Sequence, residues 1–159
     1  MANGEPKQVI IVRKDLNMRK GKMVAQGSHA SLKTLLDVGS IDRTTTREGG
    51  MDKIQVRRTT LSIPLSEEWD VQMYNTEQIN RQAAIEWLEG RFTKVCVSVD
   101  SEQELLDIYE KAQQAGLLCS LIKDSGLTEF NGVPTLTCAA IGPAYPSEVD
   151  PITGHLKLL

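Results

Sequence analysis

The sequence predicts an α/β domain in which a mixed sheet of about four strands lies between helices. A chain of 159 residues suits one domain, and 40% hydrophobic with 25% charged residues is typical of a folded protein. Short β-branched runs alternate with stretches of helical periodicity, and residues 94–122 follow the strand–helix–strand order of a βαβ unit. Together these features favour a three-layer α/β/α fold with helices on both faces of the sheet.

The first strand and the first helix are predicted from two different periodicities. Residues 8–13 form a continuous β-branched run that is typical of a buried strand. From Lys22 to about Val38, polar residues recur at helical spacing and share one helix face: Lys22, Gln26, His29 and Lys33. The apolar side chains of this helix are expected to face the core, namely Ala25, Leu32, Leu35 and Leu36.

The chain is expected to form one domain over residues 1–159, with an extended segment at about 40–85. Residues 44–50 (TTTREGG) favour a loop or turn. Residues 55–65 (QVRRTTLSIPL) favour a strand pair or an extended stretch, since Pro64 would break a central strand. Thr76 is expected to cap a helix that runs to Leu88.

The last third of the chain shows a regular alternation of strands and helices. Residues 94–99 and 117–122 read as strands, and Asp100 or Ser101 caps the helix between them. The βαβ order implies that these two strands run parallel and are buried. A short connection leads to a further strand at 135–142, which can therefore be antiparallel.

Composition and cysteine spacing narrow the functional classes. No apolar run approaches the roughly 18 residues of a membrane span, and the N-terminal residues lack the apolar core of a signal peptide. Cys96, Cys119 and Cys138 form no CxxC pair, which argues against a disulfide framework or a zinc site and favours the reducing cytoplasm. All three lie in apolar strand runs and are expected in the core.

Basic residues form two local groups although the net charge is −3. The denser group lies near the N-terminus: Arg13, Lys14, Arg19, Lys20 and Lys22. The second group lies in the middle segment: Arg43, Arg47, Lys53, Arg57 and Arg58. Each group could be an ordinary solvated face or a surface that binds phosphates, because the local field decides such contacts.

Two predicted strands end in the same pair of residues, Lys14-Asp15 and Lys123-Asp124. Ligands of open α/β sheets bind outside the carboxyl ends of parallel strands, so we expect both ends to contribute to one pocket. Lys22 lies near a helix N-terminus, where an anion is favoured. Asp124 could position or deprotonate a water while Lys22 stabilises an oxyanion, which is sufficient for hydrolysis.

Each candidate also has a purely structural interpretation. Lys22 could be a solvated charge, and Asp124 could cap the backbone of the following loop. His29 could be a metal ligand, a base or a packing histidine. Thr135 and Thr137 face one side of the last strand and could be either hydroxyls at the core edge or donors in a site.

Three blocks of the sequence resemble the motifs of the type 2 (archaeal and eukaryotic-type) peptidyl-tRNA hydrolases. These are residues 20–30 (KGKMVAQGSHA), 123–129 (KDSGLTE), and 141–143 (IGP) together with 152–159 (ITGHLKLL). The resemblance covers residues 7–38 and about 87–159. It implies a four-stranded mixed sheet between helices, a homodimer, and hydrolysis of peptidyl-tRNA without a metal or other cofactor.

The resemblance also assigns roles to individual residues. Lys22 and Asp124 match the lysine and the aspartate proposed as catalytic in the family. Three residues match polar positions that line its active site: Gln26, Thr128 and Thr137. Three more lie in or beside the motifs and are expected to contact substrate: Lys20, His29 and Thr135.

The expected partner is the acceptor end of peptidyl-tRNA, not DNA and not a membrane. Arg13, Lys14 and Arg19 would contact its phosphates without reading sequence. Two departures from the family pattern are Val24 and Gly27, and residues 40–85 are longer than in compact members. Two alternatives stay open: a non-catalytic module that binds tRNA or protein on the same scaffold, and a hydrolase of another acyl-tRNA bond.

Overall fold

A computed structural model describes residues 4–48, 54–63 and 82–159 of the protein. Its elements, in chain order, are β1 (Lys7–Arg13), α1 (Lys20–Leu36), β2 (Ser40–Glu48), β3 (Ile54–Ser62), α2 (Gln82–Glu89), β4 (Lys94–Val99), α3 (Glu102–Gln114), β5 (Cys119–Asp124), β6 (Thr135–Ala144), α4 (Pro146–Thr153) and β7 (Lys157–Leu158). No helix in these described ranges is long and apolar enough to cross a membrane.

A mixed sheet with the strand order β5-β6-β1-β4-β7 forms the centre of the domain. β1 pairs with β4 in parallel, whereas β6 is antiparallel to both β1 and β5. One face of the sheet packs under α1, and the other face packs mainly against α3 and α4. The predicted α/β class with helices on both faces is therefore confirmed.

The sheet has one strand more than the predicted number of about four, because β7 contains only two residues and leaves no periodic pattern to detect. The βαβ prediction for residues 94–122 is right about the order of elements and about the parallel direction of the two strands, although these strands are not neighbours in the sheet. β6 and β1 lie between β5 and β4, so α3 spans across two strands. The periodicity of the sequence predicts where helices and strands lie. It does not predict which strands are neighbours in the sheet.

The middle segment forms a second, two-stranded antiparallel sheet, β2–β3. Residues 44–48, predicted as loop or turn, belong to β2, and residues 54–62 form a single strand rather than a strand pair. Alternating threonines and charged residues gave this ribbon no apolar face, so the sequence pattern lacked the usual strand signal. Thr76 lies outside the described residues, while Gly90 follows α2 as expected.

α1 packs on the sheet through small residues and one buried polar group. Ala30 is fully buried, and a Cβ on Gly27 would lie 3.5 Å from Cγ2 of Ile10, so the helix approaches β1 closely. Gln8 of β1 is also fully buried and donates from Nε2 to Oγ1 of Thr34 at 2.8 Å and to the carbonyl of Ser31 at 3.1 Å. These contacts hold α1 at one register above the sheet.

The predicted faces of α1 differ from the observed ones. Gln26, expected on the polar face, is buried, whereas Leu32 and Leu36, expected in the core, are 56% and 38% exposed. Ala25 is exposed as well, and only Leu35 of the predicted apolar set is buried. The helix therefore presents its small residues and Gln26 to the sheet.

The cysteines also divide between the core and the surface. Burial raises the pKa of the Cys138 thiol to about 12 and that of the half-buried Cys119 thiol to about 11. Cys96 is exposed, because α1 packs over β1, β5 and β6 and leaves this side of β4 uncovered, so the prediction of a core position for it was wrong.

Candidate active site

The site lies where the chain leaves β1 and β5 at the same edge of the sheet. β1 and β5 point in the same direction because each is antiparallel to β6 between them. The chain after β1 turns into α1, whose first turn carries Lys22, and β5 ends at Asp124. Nζ of Lys22 lies 2.7 Å from Oδ2 of Asp124, and both side chains are 13% exposed.

Gln26 connects this ion pair to the interior of the domain. Its Nε2 donates to Oδ2 of Asp124 at 2.9 Å, and its Oε1 accepts from Oγ1 of Thr137 at 2.5 Å. Thr137 on β6 is fully buried and Gln26 is 3% exposed. The amide oxygen of Gln26 accepts the hydrogen bond from the Thr137 hydroxyl. The amide nitrogen of Gln26 must therefore point towards the carboxylate of Asp124.

The second carboxylate oxygen is held by the backbone of the next loop. The N–H of Gly126 donates to Oδ1 of Asp124 at 2.8 Å. Gly126 has a φ of +81°, and a Cβ at this position would lie 2.2 Å from the carbonyl oxygen of Val133. Only glycine fits this turn. The N–H donor to Asp124 therefore requires a glycine at the last position of Lys123-Asp124-Ser125-Gly126, where the chain leaves the strand.

These contacts keep Asp124 ionised. The hydrogen bond from Lys22 lowers the pKa of this carboxyl most, the N–H of Gly126 lowers it further, and the Lys22 charge and Gln26 add to the effect. Desolvation acts in the opposite direction but does not overcome them. The carboxylate is therefore a charged hydrogen-bond acceptor at neutral pH.

Lys22 contacts a second group besides the carboxylate. Its Nζ donates to Oγ1 of the exposed Thr128 at 3.0 Å and lies 5.6 Å from the ring centre of Phe130. An ammonium has three N–H donors and a carboxylate has about four acceptor positions. The described residues occupy two of those donors and three of those acceptor positions. One donor of Lys22 and one acceptor position on Asp124 are therefore not used by the described residues.

Comparison with known proteins identifies the family. The family model described as peptidyl-tRNA hydrolase PTH2 matches residues 6–159. The peptidyl-tRNA hydrolases of Methanocaldococcus jannaschii and Methanothermobacter thermautotrophicus are each 39% identical over 153 residues, covering 96% of this chain and 99% of those proteins. That of Sulfurisphaera tokodaii is 37% identical, covering 96% of this chain and 98% of that protein.

The chain belongs to the PTH2 family. The resemblance seen in the sequence motifs is thereby confirmed, and it extends over nearly the whole chain, including both sides of the middle segment.

The structure brings five of the sequence-predicted site residues of this PTH2 member into one hydrogen-bonded cluster: Lys22, Gln26, Asp124, Thr128 and Thr137. The other three predicted substrate contacts lie around it. Thr135 is the strand partner of Asp124, and its Oγ1 donates to the carbonyl of Val133 at 2.8 Å. His29 is exposed about two turns further along α1. Lys20 lines a groove on the opposite flank of the helix.

The three residues predicted to contact phosphates have different environments. Arg13 is 9% exposed, and its guanidinium pairs with Asp15 at 2.6 Å and Glu102 at 2.7 Å. The hydrogen bond to Asp15 raises the pKa of the Arg13 guanidinium, which therefore stays charged. That charge is already paired with carboxylates of the domain. Lys14 is exposed, and the side chain of Arg19 is 80% exposed although its Nε pairs with Glu129 at 2.9 Å.

The N–H of Gly126 is the loop cap that the structural interpretation of Asp124 predicted, whereas the ring of Phe130 near Lys22 was not predicted from the sequence. Gly126 carried a detectable signal, because a glycine two residues after a strand-terminal aspartate is typical of a turn that donates its N–H groups to that carboxylate. For Phe130 the sequence held no comparable signal, since its position depends on the path of the loop.

Proposed function

We propose that Lys22 and Asp124 carry out the hydrolysis of peptidyl-tRNA for which this family is named. The observation that carries the proposal is the 2.7 Å contact between an ammonium and a carboxylate that are 102 residues apart in the chain. The pair is partly exposed, and an exposed hydroxyl, that of Thr128, lies beside it. The reaction cleaves the ester bond between the peptide and the terminal ribose of the tRNA.

Asp124 would orient the attacking water rather than take its proton in a full transfer. General bases work best when their pKa is near the working pH, and the pKa of this carboxyl is held below its ordinary range. As a charged acceptor with one position not used by the described residues, the carboxylate would fix the direction of the water lone pair. The water oxygen bonds to the carbonyl carbon and loses a proton to solvent, the bond to the ribose oxygen breaks, and that oxygen takes up a proton from solvent. An ester needs less nucleophilic assistance than an amide, so orientation suffices.

Lys22 would stabilise the negative charge that develops on the carbonyl oxygen. One of its N–H donors is not used by the described residues, and a fixed cation in a mostly buried site acts more strongly than one in water. Thr128 holds the ammonium at 3.0 Å and, being exposed, can also contact the ribose or the peptide.

Gln26 and Thr137 would act on Asp124 and not on the substrate. Both are buried, and the amide of Gln26 spans the distance between the Thr137 hydroxyl and the carboxylate. They are positioning residues, because they determine where the carboxylate oxygens point. Thr135 and His29 lie beside the cluster and would contact more distant parts of the peptide or ribose, whereas Lys20 lines the groove on the other flank of α1.

The acceptor end of the tRNA would bind at the start of α1. Lys14 and Arg19 are exposed there, beside the N-terminus of the helix, and both suit phosphate contacts that do not depend on base sequence. Arg13 is not part of this surface, since Asp15 and Glu102 neutralise it.

We further propose that the protein acts in the cytoplasm as a homodimer. Among the described residues, a groove of about 640 Å³ lies between α1, α2 and the C-terminus. Exposed apolar side chains line it, including Val24 (70% exposed), Leu32 (56%), Phe92 (48%) and Leu159 (51%). Such a contiguous apolar surface favours contact with a second copy of the chain.

The test is hydrolysis of an N-acetylated aminoacyl-tRNA by the wild type and by Lys22→Ala and Asp124→Asn. Each substitution should lower kcat at least about 100-fold, as expected when a charge-stabilising group is removed. Lys123→Ala is the matched control, because Lys123 is an exposed lysine directly beside Asp124. Circular dichroism spectra should be the same for all four proteins.

Each alternative function predicts a different result in this assay. Near-normal rates in Lys22→Ala or Asp124→Asn would reject the residue assignment. A wild type without single-turnover hydrolysis would identify a non-catalytic binding module. Faster cleavage of an aminoacyl-tRNA with a free amino group than of the N-acetylated form would identify a hydrolase of another acyl-tRNA bond.

A further inference from the structure

The β2–β3 hairpin contributes little to the core of the domain. Its two strands contact each other far more than they contact any other described element. Where side chains are described, at residues 40–45 and 59–62, every residue is exposed. A two-stranded ribbon with solvent on both faces is marginally stable by itself, so burial does not explain why the hairpin has this sequence.

The strand register distributes charge unequally between the two faces of the hairpin. Arg43 pairs with Thr59, Thr45 with Arg57 and Arg47 with Gln55. Because residues alternate between faces, these six positions share one face, which carries three arginines. From 41 to 47 and from 55 to 61, that face holds no acidic residue.

The opposite face has a different composition. It carries Asp42 and Glu48 together with one basic residue, Arg58. The hairpin is thus a ribbon with a net charge of +3 on one side and −1 on the other. Threonine and glutamine, which also donate hydrogen bonds to phosphate oxygens, fill the remaining central positions of the basic face.

We infer that the face bearing Arg43, Arg47 and Arg57 binds the phosphate backbone of the substrate tRNA outside the reaction site. The inference rests on the proposed function and adds a second binding surface to it. Arginine on a polar ribbon suits RNA duplex backbone, which proteins recognise by its shape and phosphates rather than by base edges. The same face also carries the exposed pair Ile41 and Leu61 at the base of the hairpin, but three arginines without an acidic residue favour a polyanion over an apolar or acidic partner.

The position of the hairpin determines which part of the tRNA it contacts. It follows the C-terminal end of α1, and Leu36 lies about 21 Å along the helix axis from Lys22. That distance corresponds to several nucleotides of a strand, so the base of the hairpin lies away from the Lys22–Asp124 pair. We therefore expect the hairpin to contribute to binding and not to the chemical step.

The test measures the dissociation constant of deacylated tRNA as a function of salt. The triple variant Arg43→Gln, Arg47→Gln, Arg57→Gln should raise Kd at least about tenfold in 0.1 M salt and reduce the slope of log Kd against log salt by about two to three. The corresponding lysine triple variant keeps the charges and should retain most of the slope. Thermal unfolding of both triple variants shows whether the domain is intact.

Adjacent arginines in β3 provide the matched control. Arg57→Gln should reduce the salt slope by about one, whereas Arg58→Gln, on the other face, should leave it near the wild-type value. Equal effects at the two positions, or a glutamine triple variant that binds like the wild type, would overturn the inference. Because deacylated tRNA has no ester, binding that depends on the hairpin stands even if the hydrolysis assay fails.

Discussion

The hydroxyl of Thr137 offers a sharp test of how the site is organised, because it never contacts the substrate. Thr137→Val keeps the volume of the side chain and removes only the donor to Oε1 of Gln26, a contact of 2.5 Å in a fully buried position. The Gln26 oxygen is then a buried acceptor without its partner, which costs about 1–3 kcal/mol. The amide can recover hydrogen bonds only by turning away from Asp124.

The expected result is a decrease of kcat by about fivefold to 150-fold, since 1.4 kcal/mol corresponds to a factor of ten. KM should change little, because Thr137 is fully buried and its hydroxyl contacts Gln26. The acid limb of the pH–rate profile should move to higher pH, since the hydrogen bond from Gln26 helps to lower the pKa of Asp124. A loss of stability alone would not move that limb.

The assay is steady-state hydrolysis of N-acetylated aminoacyl-tRNA across a pH series, with Thr137→Ser as the control that keeps the hydroxyl. The serine variant should retain most of the wild-type kcat and the wild-type acid limb. If the valine variant also keeps both, the hydroxyl does not orient the amide, and Gln26 has no positioning role.

Two further predictions concern stability and assembly. Because the pKa of Asp124 is lowered in the folded state, its stabilising contribution is present above the unfolded value of about 4 and is lost as pH falls through the folded value. Urea titrations should show a steeper loss of unfolding free energy with acidification for the wild type than for Asp124→Asn; parallel curves would contradict this. Sedimentation equilibrium should show a dimer for the wild type and a monomer for Leu32→Glu, whose side chain lines the apolar groove; a monomeric wild type would count against the dimer.

The middle segment shows why part of the fold escaped sequence reasoning. Strand prediction depends on one apolar face, and the β2–β3 ribbon has two polar faces. Its order comes from the cross-strand hydrogen bonds of the hairpin, which leave no trace in composition. For α1, the periodicity predicted the helix correctly but not its buried face. Gln26 is polar, and it is buried because its amide forms hydrogen bonds with Thr137 and Asp124.

By itself the sequence determined the class of the fold, the order of most elements and the residues of the hydrogen-bonded cluster, because periodicity and short motifs are local properties of the chain. It also indicated that two strand ends would supply one site. Only the tertiary structure decided that Arg13 is neutralised in the interior while Lys22 reaches Asp124. Ion pairing, burial and the choice of strand neighbours depend on contacts between segments about 100 residues apart, and such contacts exist only once the sheet has assembled.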